Sequence, residues 1–412
     1  MLLNRSTPNG CTSSTGRFGM TAEQVKGCWS WPGSWPHEAN RQPREVLMNL
    51  SSDELRAMIR DNFRSQWEAT KGRIKYLSPG DPGEWSVWIM MPALYRVRPR
   101  LGLPHTEIEG YADMLRRPRS AAHITANDIG QLGYAYLYRI AYEEFLKFRE
   151  EQGATHLKLR VGLASPFDWG MLVNCYAVGL DGFTEALVRE IKEILSFAST
   201  QDLLLSWESP FGQIATAMTR VFGLGGVVAR YCARILQDVL QRLPNDVQIG
   251  LHPCWGDYDN NSLIEGLFTW AAQKLGLKSP HKFVMWLARV LQSPKAIAIF
   301  VNPLQEVAGE RLKEVLLCLA AGTAEPSDLP RRYRGMRKLK QLAWVTYVAG
   351  FCHRSLSKKK ALAVRRAAVW GSGIRFTHFG STCGLARMSE EDARHVVGIG
   401  CYLCEHPLDA AA

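Results

Sequence analysis

Short apolar runs and longer amphipathic segments take turns along most of the chain. "HLKLRVGL" (156–163) precedes "FTEALVREIKEILSF" (183–197), in which Leu187, Ile191 and Leu195 recur every four residues. "DLLLSW" (202–207) precedes "VVARYCARILQDVLQRL" (227–243), and "VQIGL" (247–251) precedes apolar helical stretches at 263–275 and 282–292. "AIAIFV" (296–301) reads as a strand before a helix in "GERLKEVLLCLAA" (309–321). "AWVTYVAG" (343–350) leads to "KKKALAVRRAAVW", and "GIRFTHF" (373–379) to a last helix near 389–400. With "WSVWIMM" (85–91) and a helix near 127–150, seven strand–helix units are visible, and 93–126 has room for an eighth. Such repetition predicts a parallel sheet with crossover helices. An open doubly wound sheet and a closed barrel both satisfy it, and eight units favour a (β/α)8 TIM barrel of class α/β.

The flanks differ. Residues 1–45 are rich in Ser, Thr, Gly, Pro and Asn, and are expected to form an irregular N-terminal extension, flexible or draped over the main domain. Residues 46–83 form a helical lead-in, its helix running from Ser52 to about Lys71 behind the cap signal "SSDE". No linker interrupts 84–400, so 84–405 is expected to be one barrel domain. "AIAIFV" and "AWVTYVAGF" (343–351) are too short to cross a bilayer, and "MLLNRSTPNG" lacks the apolar core of a secretory signal. Ten cysteines dispersed through 412 residues do not resemble a disulfide framework, which makes a reducing cytoplasm the expected location.

In a parallel sheet of either kind the functional groups gather at the carboxyl ends of the strands. There the sequence places Glu208 after "DLLLSW", His252, Cys254 and Asp257 after "VQIGL", Cys352 and His353 after "WVTYVAGF", and Cys383 after "GIRFTHFGST". Strand residues i and i+2 share a face, so His252 and Cys254 project together. A His-x-Cys pair with a distant Cys suits zinc, which prefers imidazole and thiolate ligands. Three protein ligands and one open position are the mark of catalytic zinc. Each of these residues taken alone is more often an ordinary rim or packing residue.

"GLHPCWGD" together with "FGSTCGLAR" resembles the C-terminal barrel of cobalamin-independent methionine synthase, within the superfamily of uroporphyrinogen decarboxylase-like barrels and zinc methyltransferases. The resemblance extends to "GYAYLYRIAYEEFLKFREEQG" (133–153) and "LLLSWES", and covers roughly 84–405. It implies that His252, Cys254 and Cys383 hold a zinc that activates a thiol. It implies further that Glu208 holds a substrate amino group and His353 relays a proton. Trp207 and Asp257, on the same rim, complete the candidate substrate-binding set. The chain departs from that family where an acid should end the sixth strand: "AIAIFVNPLQE" has none there, and Glu306 lies several residues beyond. It also lacks the second barrel of the synthase, which points to a divergent member.

A formal net charge of +11 raises the question of nucleic acid. The basic residues cluster in "RRYRGMRKLK" (331–340) and "KKKALAVRR" (358–366) without aromatic interleaving, so they read as solvated helix faces, and a small thiol or anionic substrate is the expected partner. "VFGLGGVVAR" (221–230) lacks a phosphate-loop spacing, and "CYLC" (401–404) is one pair without a second. Three functions stay open: a zinc-dependent transferase moving a methyl or other alkyl group to or from a thiol; a zinc lyase, decarboxylase or hydrolase on the same rim; and a barrel with no catalytic role. The oligomeric state is left open as well.

Overall fold

The structure, a computed structural model, describes Trp35 and residues 49–83, 96–102, 124–173, 180–255, 257–258, 261–262, 293–318, 333–381, 385 and 388–406. The run at 85–91, the region 103–123 with its expected eighth unit, and the helical stretches at 263–275 and 282–292 lie outside these residues.

Seven parallel strands pair in sequential order: β1 (Tyr76–Leu77), β2 (Lys158–Ala164), β3 (Leu203–Glu208), β4 (Ile249–His252), β7 (Leu312–Cys318), β8 (Thr346–Cys352) and β9 (His378–Ser381). A separate antiparallel pair, β5 (Asp257–Tyr258) and β6 (Asn261–Ser262), follows β4. Helices α1 (Ser52–Ala69), α2 (Tyr134–Glu151), α3 (Pro166–Val173), α4 (Leu180–Phe197), α5 (Pro210–Arg220), α6 (Gly225–Gln241), α7 (Pro294–Ala308), α8 (Lys358–Ser372) and α9 (Glu390–Glu405) connect or flank the strands. Among the described residues, no helix is long and apolar enough to cross a membrane.

The sheet is curled. Arg160 of β2 forms an ion pair with Glu314 of β7, although β3 and β4 lie between them. In a flat sheet these strands would stand about 14 Å apart at the usual spacing of about 4.8 Å, beyond the combined reach of the two side chains. Alternation along the strands sorts the residues into two faces. Leu203, Leu205 and Trp207 belong to the apolar cluster shared with the helices, whereas Ser206 and Glu208 take the concave side with Arg160.

The lead-in helix forms as its cap signal requires. Ser51 Oγ accepts from Glu54 N–H while the Glu54 carboxylate accepts from Ser51 N–H, so two donors at the helix start are satisfied reciprocally. Its buried face, Leu55, Ile59, Asn62, Phe63 and Gln66, packs toward α2, and Asn62 and Gln66 donate to Ser78 O just past β1. Trp35 is buried against this helix, with its N–H donating to Asn62 Oδ1 at 2.7 Å. Trp35 is the single described residue of the expected N-terminal extension.

One unit is inverted relative to the sequence reading. "AIAIFV" belongs to α7, and the strand is the following β7, within the segment expected to be helical. The segment carries helical signals. Ser293 caps through Lys295 N–H, Pro294 opens the helix, Gly309 ends it, and Ala296, Ile297, Phe300, Val301, Leu304 and Ala308 bury one stripe. In β7 the good helix formers Leu, Lys and Glu are overridden by pairing with β4 and β8 on both sides.

Candidate functional site

The registers place the site. Glu208 and His252, the last residues of β3 and β4, are direct cross-strand partners on the concave face. Glu208 Oε2 lies 3.1 Å from His252 Nδ1, and both residues are about nineteen-twentieths buried, at 5% exposure each. The contact is one of distance: it suits an ion pair with a protonated ring but lacks the alignment of a hydrogen bond, so it does not by itself fix the ring's tautomer. Cys254, two residues past His252, is buried as well. Below this row lie Ser206, Gly250 and Glu314, and Arg160 Nη1 donates to Ser206 Oγ at 3.1 Å. A Cβ at Gly250 would come within 3.1 Å of Leu204 Cδ2, so glycine makes room for that side chain, while the Arg160 guanidinium would sit at an ordinary contact distance of 3.7 Å.

Trp207 departs from the expected set. Strand alternation turns it to the face opposite Glu208, where it is buried in the core and cannot line the concave rim. Asp257 begins β5 a few residues beyond Cys254, and nothing is described of its side chain. Cys383 lies outside the described residues. Among the described residues, no group of three or more His, Cys, Asp and Glu is arranged to hold a metal ion, so Cys254 does not complete a trio with Glu208 and His252.

His353 directly follows β8 and is half-buried. Ser355 N–H donates to its Nδ1 at 3.2 Å, and Ser355 Oγ lies 2.8 Å from the same atom. Burial holds its pKa below the ordinary histidine value; Arg354 adds to the effect, and Asp392 opposes it. Desolvation is the larger cause. His378 begins β9, away from the carboxyl ends, and burial pushes it down to about 4. Cys401 and Cys404 contact the backbone carbonyls of Ala69 and Thr377, which is helix packing.

A second buried polar group lies on the same edge and escaped the sequence reading. Ser165 and Ser209 follow β2 and β3, with their hydroxyl oxygens 3.0 Å apart. Ser165 Oγ donates to Asp168 Oδ2, and Phe211 N–H donates to Asp168 Oδ1 at 2.6 Å. The signal was a repeat: "SPF" follows the strand at 165–167 and again at 209–211, each proline opening a helix. Burial pushes the Asp168 carboxyl up to about 7, against the hydrogen bonds of Ser165, Ser209 and Phe211.

A group whose folded pKa lies above its unfolded value stabilises most below the unfolded pKa and loses that contribution as pH rises. For Asp168 the window runs from about 4 to about 7. Asp168→Asn, which stays neutral, should therefore gain on the parent across that window, by on the order of 4 kcal/mol above pH 7. Urea midpoints of both proteins at pH 4.5 and pH 8 check this. A constant difference between them would mean the carboxyl is ionised throughout.

Comparison with protein-family models and with curated proteins found no match for this chain.

Proposed function

We propose that the protein is a zinc-dependent transferase that moves a methyl or other alkyl group to or from a small thiol. The proposal includes closure of the curled parallel sheet into a (β/α)8 barrel of the methionine synthase and uroporphyrinogen decarboxylase-like kind. The observation that carries the reading is the Glu208–His252 pair at adjacent strand ends, with buried Cys254 two residues on. Zinc-ligating histidines commonly donate the other ring N–H to a carboxylate, which fixes the tautomer and raises ligand basicity. Glu208 stands 3.1 Å from His252 Nδ1, near enough to become that partner on a small turn of the ring, so His252 Nε2, Cys254 and Cys383 are the groups that would hold the metal. Glu208 thereby becomes a positioning residue for His252, in place of the amino-group contact that the resemblance implies. Zinc bound there would keep a substrate thiol ionised at neutral pH.

His353 takes the thiol proton in this scheme. Its ring is neutral at pH 7, because burial and Arg354 hold its pKa below the ordinary range, and since Ser355 N–H donates to Nδ1, the ring takes the thiol proton only by releasing that bond or by changing tautomer to free Nε2. Ser355 holds that nitrogen in place. A base must be unprotonated to act, so activity should fall as pH drops through the His353 pKa, below about 6.5. His353→Asn should slow turnover about 10²-fold and remove that acidic limb. An unchanged limb in the variant would dismiss His353 as the base.

X-ray absorption at the zinc edge, recorded with and without small thiols such as coenzyme M, tests the reaction class. Entry of a further sulfur supports alkyl transfer. A zinc protein that takes up no sulfur would belong to the lyase, decarboxylase or hydrolase reading.

A further inference from the structure

From Leu329 to Ser389 the chain carries fourteen Lys and Arg and not a single Asp or Glu. The whole chain is at +11, so the residues outside this stretch carry a net −3. The fold then gathers these cations. The short helical turn Arg334–Lys338 packs against the end of α8, where Arg337 donates to Trp370 O and Gly371 O, each at 3.1 Å. Gln341 Nε2 donates to Gly373 O at 3.2 Å, tying the next segment to the same helix end. Arg334, Arg337 and Lys338 of the first basic run are thus joined by Arg366, one turn before Trp370, and by Arg375 just past α8 in one surface at the amino ends of the strands, opposite the Glu208–His252 edge, whereas Lys358–Lys360 open α8 at the other end.

Two indoles stand out from this surface. Trp370, in the last turn of α8, is 63% exposed, and Trp344, two residues before β8, is 51% exposed. Arg334, Arg337, Lys338, Arg366 and Arg375 are exposed around them, and no Asp or Glu among the described residues forms an ion pair with any of the five. The aromatic interleaving that the linear sequence lacks is supplied by packing.

We propose that this surface binds single-stranded nucleic acid. Arginine forks and lysine ammonium groups neutralise phosphates, and exposed indole faces stack on unpaired bases without regard to sequence. An anionic membrane is the competing partner for a cationic surface with tryptophans, but insertion requires a continuous apolar face. Here the apolar face of α8, Ala361, Val364 and Ala368, is committed to the core, and the two indoles are the only large apolar side chains exposed in the acid-free stretch among the described residues.

Fluorescence anisotropy of the full chain with labelled 20-nucleotide oligouridylate and oligothymidylate tests the proposal. Binding in the range of about 10 μM or tighter is expected at low salt. If four phosphates are engaged, log K should fall with log salt at a slope of about −3. Trp370→Ala and Trp344→Ala should each weaken binding by roughly 5- to 100-fold with thermal melts unchanged. Arg334→Glu/Arg366→Glu should weaken it at least tenfold and flatten the salt slope. Arg230→Glu/Arg234→Glu, an equal charge change at exposed positions on α6, should leave affinity within about twofold. Binding to vesicles containing phosphatidylserine but to neither oligonucleotide would overturn the proposal in favour of a membrane. No binding to either probe, or equal losses from both charge-reversal pairs, would overturn it outright.

Discussion

Purified without chelators, the protein is expected to contain about one zinc per chain, and Cys254→Ser, His252→Ala and Cys383→Ser are each expected to lose it. The expectation rests on the chemistry of the donor set. His252 has the Glu208 carboxylate 3.1 Å from its Nδ1, within reach of the contact that readies Nε2 for a metal, and Cys254 places a thiol two residues on. Loss should be close to complete, because removing one of three protein ligands leaves a two-donor site with little hold on the ion. The apoprotein should stay folded: the apolar cluster runs from Trp35 to Leu403 and does not depend on the rim. Glu208→Gln separates the ligands from their support. It should retain zinc on purification yet surrender it to a chelator roughly 10- to 100-fold more readily, the usual cost of losing a carboxylate behind a metal-bound histidine. Metal analysis by mass spectrometry, with circular dichroism on the same samples, reads both effects. A wild-type protein without stoichiometric zinc would remove the metal from the proposed function. An unchanged chelator profile in Glu208→Gln would leave the Glu208–His252 contact with no part in metal binding.

Much of the sheet could be read from local pattern, since parallel strands buried on both faces appear as uninterrupted apolar runs. β2, β3, β4 and β8 fall within two or three residues of "HLKLRVGL", "DLLLSW", "VQIGL" and "AWVTYVAG". The same property caused the error at 296–318. A helix buried on most sides also gives an apolar run, and Glu314, buried inside β7, made the true strand look amphipathic. For the same reason, the strand end at which the resemblance calls for an acid is that of β7, and not the end of "AIAIFV", which belongs to α7. The rim residues were partly legible. Strand ends predicted Glu208 and His252 on one edge, and their register made them neighbours. The face of Trp207 follows from the same alternation, had it been counted from Glu208. The link between Asp168 and the two serines could not be seen in one strand, because it joins the turns after β2 and β3. Nor could the sequence reveal that Trp370 and Trp344 would stand among arginines, since helix exit and strand entry meet only after folding.

Removing either partner of the Arg160–Glu314 pair should destabilise the protein by about 3–5 kcal/mol, the cost of leaving one charge buried and uncompensated. Both side chains are 1% exposed, and the concave face offers few substitutes. Ser206 Oγ accepts one guanidinium N–H, and the Tyr76 ring lies 5.4 Å from the guanidinium carbon. In Arg160→Met the Glu314 carboxylate loses its cation beside Tyr76, whose hydroxyl is already held above the ordinary tyrosine range by burial and by Glu314. In Glu314→Gln the guanidinium keeps a neutral acceptor, so the loss should sit at the lower end of the range. With an unfolding entropy of about 2.1 cal/mol/K per residue over 412 residues, this corresponds to a fall in Tm of roughly 4–6 °C. Arg160→Met/Glu314→Leu should cost far less than the two single changes together, because a buried ion pair replaced by apolar groups of similar size is often neutral. The cycle also bears on function, since Glu314 is the register partner of Gly250, two residues below His252. If the pair only fills the concave face, the double variant should keep its zinc and its stability. If its charges also set the potential beneath the metal, the double variant should fold and bind zinc more weakly. Strictly additive losses in thermal melts would mean that Arg160 and Glu314 do not act as a pair.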